Sequence, residues 1–221
     1  MSTHSHTLAS HGEILANLPG ILGFYPNNSL ILAFFVDDEG VDTVRLGPVA
    51  RFDLDEAVAK LTESRERFAA WVHHLELDAV IAYMISDDIA QPVFDETATY
   101  LTSGAVHLPP LLGVVQVPEI VTGAAWWSVY QHPLIDEPRH GVVGEVAASA
   151  ALQQMLADTG ELPEPSKDDI EARLNSTDHG IDAAEHAEHE HQIAQGEERH
   201  GERAHRDTDR QEHADPEDDR V

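Results

Sequence analysis

The run Leu30-Ile31-Leu32-Ala33-Phe34-Phe35-Val36 is the longest apolar segment of the chain, and it predicts a strand buried on both faces. Turn-forming residues lie on either side of it, in the segments 23–29 and 37–40. The chain then returns over residues 42–54 with the composition of a second strand. Together these features predict a β-hairpin at the start of a sheet.

An amphipathic segment follows the predicted hairpin. Apolar residues recur at spacings of three and four from Leu54 to Leu75, and Asp53 with Glu56 forms a capping pattern at the start of this helix. Residues 78–85 then predict another buried strand. A helix between two strands implies that the strands run parallel. We therefore expect an α/β fold, a single compact domain with a mixed, mostly parallel sheet flanked by helices.

The remaining pattern completes this domain. Ser10 and Glu13 form a capping box for a short first helix that we expect to end at Pro19-Gly20. Further helices are predicted over residues 93–103, 143–156 and 166–174, and strands over 111–117 and 120–130. The predicted α/β domain covers residues 8–174.

The last 47 residues, 175–221, differ sharply in composition from the rest of the chain. They contain 15 acidic residues, five arginines, seven histidines, three large aliphatic residues and no aromatic residue. Such a segment cannot bury enough apolar surface to offset about 1–2 kcal/mol of backbone entropy per ordered residue. We expect a disordered, acidic, His-containing tail.

Composition also restricts the class of partner. The formal net charge of -28 disfavours binding to nucleic acid and to anionic membranes. The absence of cysteine excludes disulfides, thiolate nucleophiles and Cys-ligated metal sites. The first ten residues lack the pattern of a signal peptide, and the longest apolar run is far shorter than the roughly 20 residues that span a bilayer. We expect a cytoplasmic protein, and no feature specifies a cofactor.

Four segments of the chain are distinctive: Leu18-Pro19-Gly20-Ile21-Leu22-Gly23-Phe24-Tyr25-Pro26-Asn27-Asn28-Ser29-Leu30, Arg51-Phe52-Asp53-Leu54, residues 123–128 with Trp126-Trp127-Ser128, and residues 143–174. In this order they resemble an actinobacterial family that is known only as a domain of unknown function, DUF number 4192. The resemblance extends over residues 8–174. It implies an α/β domain in an actinobacterial cytosol and no established activity. Many relatives have arginine before the tryptophan pair and cysteines after it, whereas this chain has Ala125 and the segment Tyr130-Gln131-His132-Pro133.

Acidic residues after two predicted strands are candidate metal ligands. Asp37 and Asp38 follow the first strand, and Asp87 and Asp88 follow the strand over 78–85. If these strands are parallel neighbours, both pairs share one edge of the sheet, where carboxylates could hold magnesium or manganese. The alternative is two solvated turns, in which aspartate is common.

The tryptophan pair is the leading candidate for a ligand or interface contact. Successive residues of a strand face opposite sides, so one of Trp126 and Trp127 is expected to fill the core while the other covers an edge, a pocket or a partner.

Four polar residues form a second candidate ligand or interface group. Arg51 and Asp53 are two residues apart on a strand, so they are expected to meet in a fixed ion pair, with anion binding as the alternative. Asn28 and Ser29 lie in a turn, where bonding to the backbone is the structural alternative to a ligand role.

His186, His189 and His191 lie among glutamates in the tail and could capture zinc or nickel weakly. Their irregular spacing is equally that of a polar solubility segment.

Three functions remain open from the sequence. No Ser-His-Asp order, His-Glu-x-x-His, Walker or dinucleotide motif is present, so no catalytic motif identifies an enzyme. The leading hypothesis is a non-catalytic binding or regulatory module that recognises a small molecule or a protein near the tryptophans. The second is a metal-dependent hydrolase or transferase that uses the four aspartates. The third is a scaffold whose acidic tail contacts a basic partner.

Overall fold

A computed structural model describes residues 10–37, 44–88, 90–105 and 107–175 of the chain. Its centre is a six-stranded sheet with the order β2-β1-β3-β4-β5-β6. The strands are β1 (Ser29–Asp37), β2 (Val44–Asp53), β3 (Ala79–Ile85), β4 (Leu111–Val117), β5 (Ala125–Gln131) and β6 (His140–Val142). The helices are α1 (His11–Leu22), α2 (Ala57–Glu63), α3 (Arg65–His74), α4 (Gln91–Thr102) and α5 (Ala150–Thr159), with a short 3-10 helix, η1 (Val146–Ala148), before α5.

Helices pack on both faces of the sheet, which explains why β1 and β3 are apolar throughout. Alternate strand residues point to opposite faces. One face, which we call the α1 face, packs against α1 and α5 and contains Ile31, Ala33, Ile81, Tyr83, Val115 and Trp126. The opposite face, the α4 face, packs against α2, α3 and α4 and contains Leu30, Leu32, Phe34, Val80, Met84 and Val114.

The α/β fold with a mixed sheet is confirmed, but the expectation of a mostly parallel sheet is wrong. Of the five neighbouring strand pairs, only β3 and β4 are parallel. The helical segment after β2 does connect two strands of the same direction, as predicted. However, β3 does not pair with β2. Both strands pair with β1, one on each side of it, and each pairing is therefore antiparallel.

Helix α1 does not end at Pro19-Gly20 as the sequence predicted. Pro19 lies inside the helix, which continues to Leu22 and ends where Gly23 adopts a left-handed conformation with φ 79°. Gly20 is required by packing: a Cβ atom there would lie 2.3 Å from the backbone nitrogen of Leu152 in α5. The Ser10 cap is as predicted, since its hydroxyl accepts a hydrogen bond from the Glu13 amide at 3.3 Å.

The single helix predicted from Leu54 to Leu75 is two helices, α2 and α3, that meet at Ser64. The expected cap by Asp53 is also wrong, because α2 begins after Glu56 without a side-chain cap. Asp53 has other partners, which are described below.

The end of the described chain contains one more helical segment, residues 167–175. It begins after Ser166, whose hydroxyl accepts from the Asp169 amide at 3.3 Å as the capping pattern predicted. By its contacts the chain divides into two units, Met1–Ile170 and Glu171–Val221. The predicted disordered tail lies outside the described residues apart from residue 175. Within the described segments, no helix is long and apolar enough to cross a membrane.

Candidate functional site

A polar network joins α1, β3 and the connection between β5 and β6. The Nδ1 atom of His11 lies 3.1 Å from the Tyr83 hydroxyl oxygen, and its Nε2 atom lies 3.3 Å from Oε2 of Glu137. Tyr83 is fully buried and His11 is 5% exposed, whereas the Glu137 side chain is 43% exposed. The ring of Trp126 packs edge-on against the His11 ring with centroids 5.0 Å apart. We call Tyr83, His11 and Glu137 the His11 network.

The electrostatics of this network favour a neutral imidazole. Burial lowers the pKa of the His11 side chain, and the Glu137 carboxylate opposes this effect. Burial, and then the charge of Glu137, raises the pKa of the Tyr83 hydroxyl well above its ordinary value. A neutral His11 accepts a hydrogen bond at one ring nitrogen and donates a hydrogen bond from the other. The arrangement that fits is a chain in which Tyr83 O–H donates to Nδ1 and Nε2–H donates to Glu137.

This order of hydroxyl, imidazole and carboxylate resembles that of a nucleophilic triad, but the hydroxyl cannot attack a substrate. Tyr83 has no exposed surface, and a nucleophile must reach the reacting atom. The network therefore connects three elements of the fold. The sequence did not predict it, because its members are far apart in the chain and no local spacing relates them.

The tryptophan pair divides between the two faces of the sheet as the strand geometry predicted. Trp126 is 5% exposed on the α1 face, and its indole N–H donates to the Val142 carbonyl at 3.1 Å. Gly141 makes room for this ring, since a Cβ atom there would lie 2.7 Å from Trp126 Cζ2. Trp127 is 39% exposed and therefore does not belong to the core.

Trp127 lies in an exposed apolar part of the α4 face. The β5–β6 register pairs Trp127 with His140 and Ala125 with Val142, so these four residues share one face. All four are exposed, Val142 at 59%. Further along β5, Tyr130 packs against the core of the same face. The part of this face that the helices cover therefore includes Tyr130 but not Trp127. We call Ala125, Trp127, His140 and Val142 the Trp127 surface.

The structure brings together Ser29, Arg51 and Asp53 at one end of the sheet. Arg51 Nε donates to Ser29 Oγ at 3.0 Å, and Arg51 Nη2 lies 2.6 Å from Oδ1 of Asp53. Lys167 Nζ lies 3.6 Å from the other carboxylate oxygen of Asp53. Burial raises the pKa of Asp53, but the Arg51 guanidinium and then Lys167 outweigh this, so the net change is a lowering. The guanidinium is thus held by an internal ion pair.

Asn28, the remaining residue of this group, has an unusual environment. Its backbone is left-handed with φ 48°, and its carbonyl oxygen accepts a hydrogen bond from the Leu54 amide at 2.9 Å. Its side-chain Oδ1 is buried without a hydrogen-bond partner.

The structure does not bring the candidate metal ligands together. Because β1 and β3 are antiparallel, Asp87 lies at the Ser29 end of β1 and Asp37 lies at the opposite end. The nine residues of β1 separate them, which is roughly 25–30 Å of strand. Asp88 follows Asp87, while Asp38 lies outside the described residues, as do His186, His189 and His191. Among the described residues, no group of three or more His, Asp or Glu side chains could hold a metal ion.

These features define an α/β domain with a mixed sheet, a polar network around a buried histidine and an uncovered part of its α4 face. The family model described as Domain of unknown function (DUF4192) matches residues 12–220, so the chain belongs to that family. The match extends well past residue 174, where the resembling motifs end. No curated protein and no solved structure matches the chain.

Proposed function

We propose that this chain is a non-catalytic binding module that recognises a basic protein through the Trp127 surface. The observation that carries the proposal is the position of Trp127, which is 39% exposed beside Val142 at 59% on the last two strands of the sheet. Contiguous exposed apolar side chains mark interaction sites on soluble domains, and tryptophan is enriched among residues that dominate binding energy.

A protein fits this surface better than a small molecule does. Sites for small molecules enclose most of the ligand in a cleft. The Trp127 surface instead lies on the last two strands at one edge of the sheet. Val129, two residues after Trp127 in β5, is also 43% exposed. An exposed strand face of this kind can pack against the surface of another folded chain.

The net charge decides between a basic partner and a second copy of this chain. Residues 1–174 contain 26 acidic and eight basic side chains, and the full chain has a formal charge of -28. Two copies therefore repel each other, whereas a positively charged protein is attracted over a distance. The acidic segment 175–221 adds to this attraction. The proposal therefore combines the hypothesis of a binding module with that of a scaffold whose acidic tail contacts a basic partner.

The setting of this function is also a proposal. We place the protein in an actinobacterial cytoplasm, as the motifs and the lack of cysteine favour. We further propose that residues 8–174 form the folded domain and that residues 175–221 form a disordered acidic tail.

Site-specific photo-crosslinking tests the proposal. A benzophenone amino acid replaces Trp127 in the full chain, and in a matched control it replaces Leu156 on α5, which is also 39% exposed. We expect the position-127 variant alone to form an adduct with a discrete protein of basic isoelectric point. Adducts at both positions, or adducts of the chain with itself only, would contradict the proposal.

A further inference from the structure

Glu137 belongs to a well-organised connection between β5 and β6, which comprises residues 132–139. The His132 amide donates to the Leu112 carbonyl at 2.8 Å, which ties the start of this connection to β4. Gln131 Nε2 donates to the carbonyls of Ile135 and Glu137 at 2.9 and 3.0 Å, which folds the connection onto itself. The Glu137 carboxylate then reaches His11. The His11 network therefore attaches this connection to α1 and β3, which are distant from it in the chain.

The connection leads directly into the Trp127 surface. Arg139 accepts a hydrogen bond from the Ser128 amide at 2.7 Å, and His140 and Val142 follow on β6. Gly141 between them packs against Trp126, whose ring also contacts His11. Glu137 and His11 are thus joined to β6 by two routes, the chain itself and the Trp126 ring.

The neutral and protonated forms of His11 require different hydrogen bonds. In the neutral form, Tyr83 donates to Nδ1 and Nε2–H donates to Glu137. In the protonated form both nitrogens are donors, so the Tyr83 hydroxyl must turn and its proton loses its acceptor. Two groups that titrate face the ring, Tyr83 from β3 and Glu137 from the connection. β4 and β5 present Gly113 and Trp126, which do not titrate.

We propose that the His11 network is a pH-sensitive latch that holds residues 132–139, and through them the Trp127 surface, in position. Uptake of a proton by His11 leaves the Tyr83 hydroxyl proton without an acceptor and places a charge at a site that is 5% exposed, while the contact with Glu137 becomes an ion pair. As the pH falls, the network therefore shifts its hold from Tyr83 towards Glu137, and the position of the connection depends on the charge of His11. The regulatory meaning of the latch rests on the proposed function, whereas the structural change is independent of any partner.

Nuclear magnetic resonance of the full chain between pH 7.5 and 5 tests the latch. Two other imidazoles lie in this region: His140 pairs with Trp127 across the strands, and His132 Nδ1 accepts from the Leu134 amide at 3.3 Å. The reference protein therefore carries His132→Gln and His140→Gln. We expect the amides of residues 132–139 and the indole N–H of Trp127 to shift with one midpoint below pH 6.5, shared with the His11 ring nitrogens.

Two further variants decide the outcome. His11→Gln in the same background should abolish the common transition, and Glu137→Gln should lower its midpoint, because the Glu137 charge favours the protonated imidazole. Glu137→Gln also keeps the test decisive if His11→Gln fails to fold. A transition that persists in His11→Gln, or that leaves the Trp127 indole signal unmoved, would overturn the latch. Failure of the proposed function is seen separately, as the absence of crosslinking at position 127.

Discussion

The Nδ1 atom of His11 lies 3.1 Å from the hydroxyl oxygen of Tyr83, although the two residues are 72 positions apart in the chain. This contact joins the first residue of α1 to a central strand of the sheet. The same imidazole also contacts Glu137, which lies in the connection that precedes β6. Three parts of the chain are thus linked through one imidazole.

The Tyr83 hydroxyl should remain protonated at a pH where ordinary tyrosine ionises. Burial and the Glu137 charge raise its pKa well above the ordinary value of 10.0. An alkaline titration followed by tyrosinate absorbance should show one of the four tyrosines ionising only as the protein unfolds. Tyr83→Phe should remove that late step. Ionisation of all four side chains in the folded protein would refute this account.

The free energy of unfolding should fall as the pH is lowered below 6.5. His11 has a lowered pKa in the folded state, so between that pKa and 6.5 the unfolded chain binds more protons. The stabilisation that neutral His11 provides is complete above pH 6.5 and is lost as the pH falls to the pKa of His11 in the folded state. Asp53 acts in the same direction but only below 3.8. Urea unfolding of the parent and of His11→Gln at pH 7.5 and 5.5 measures the effect, and equal pH dependence in both would contradict it.

The two tryptophans should differ strongly in their effect on stability. Trp126→Ala removes a buried ring that packs on His11, which we expect to reduce the free energy of unfolding by about 3–5 kcal/mol. Trp127→Ala removes a partly exposed ring, so the change should stay within about 1 kcal/mol. Urea unfolding at constant pH measures both. Comparable losses would mean that Trp127 also belongs to the core.

Inorganic phosphate should not bind at Arg51. The guanidinium is already held by Ser29 and Asp53, so an anion must displace an internal partner. We expect phosphate to raise the thermal midpoint of the parent and of Arg51→Gln equally at matched ionic strength. Asp53→Asn removes the competing charge and should introduce a rise that depends on Arg51. A rise in the parent that Arg51→Gln abolishes would favour anion binding instead.

The local pattern of residue types predicted most of the helices and strands, but it did not predict how the strands are ordered in the sheet. The apolar run at Leu30, the Ser10 cap and the alternation of Trp126 and Trp127 depend on neighbouring residues, and each appears as expected. The position of β3 beside β1 depends instead on which strands the sheet places together. That choice separated Asp37 from Asp87 and removed the shared edge on which a metal site depended.

The continuation of α1 through Pro19 has a similar origin. Proline ends many helices, yet here the packing of Gly20 against the backbone of α5 favours an unbroken α1. The His11 network was beyond prediction for the same reason, since its three members meet only in the folded chain. By contrast, the exposed tryptophan was predictable from strand alternation alone.

The most direct test of the central claim is the affinity of the full chain for the basic protein identified by crosslinking, measured by titration calorimetry. We expect Trp127→Ala to weaken binding at least about tenfold, which corresponds to roughly 1.4 kcal/mol. Leu156→Ala, which alters an equally exposed side chain, should leave the affinity unchanged, and added salt should weaken binding of the parent. Equal affinities for the two variants would show that the Trp127 surface is not the binding site.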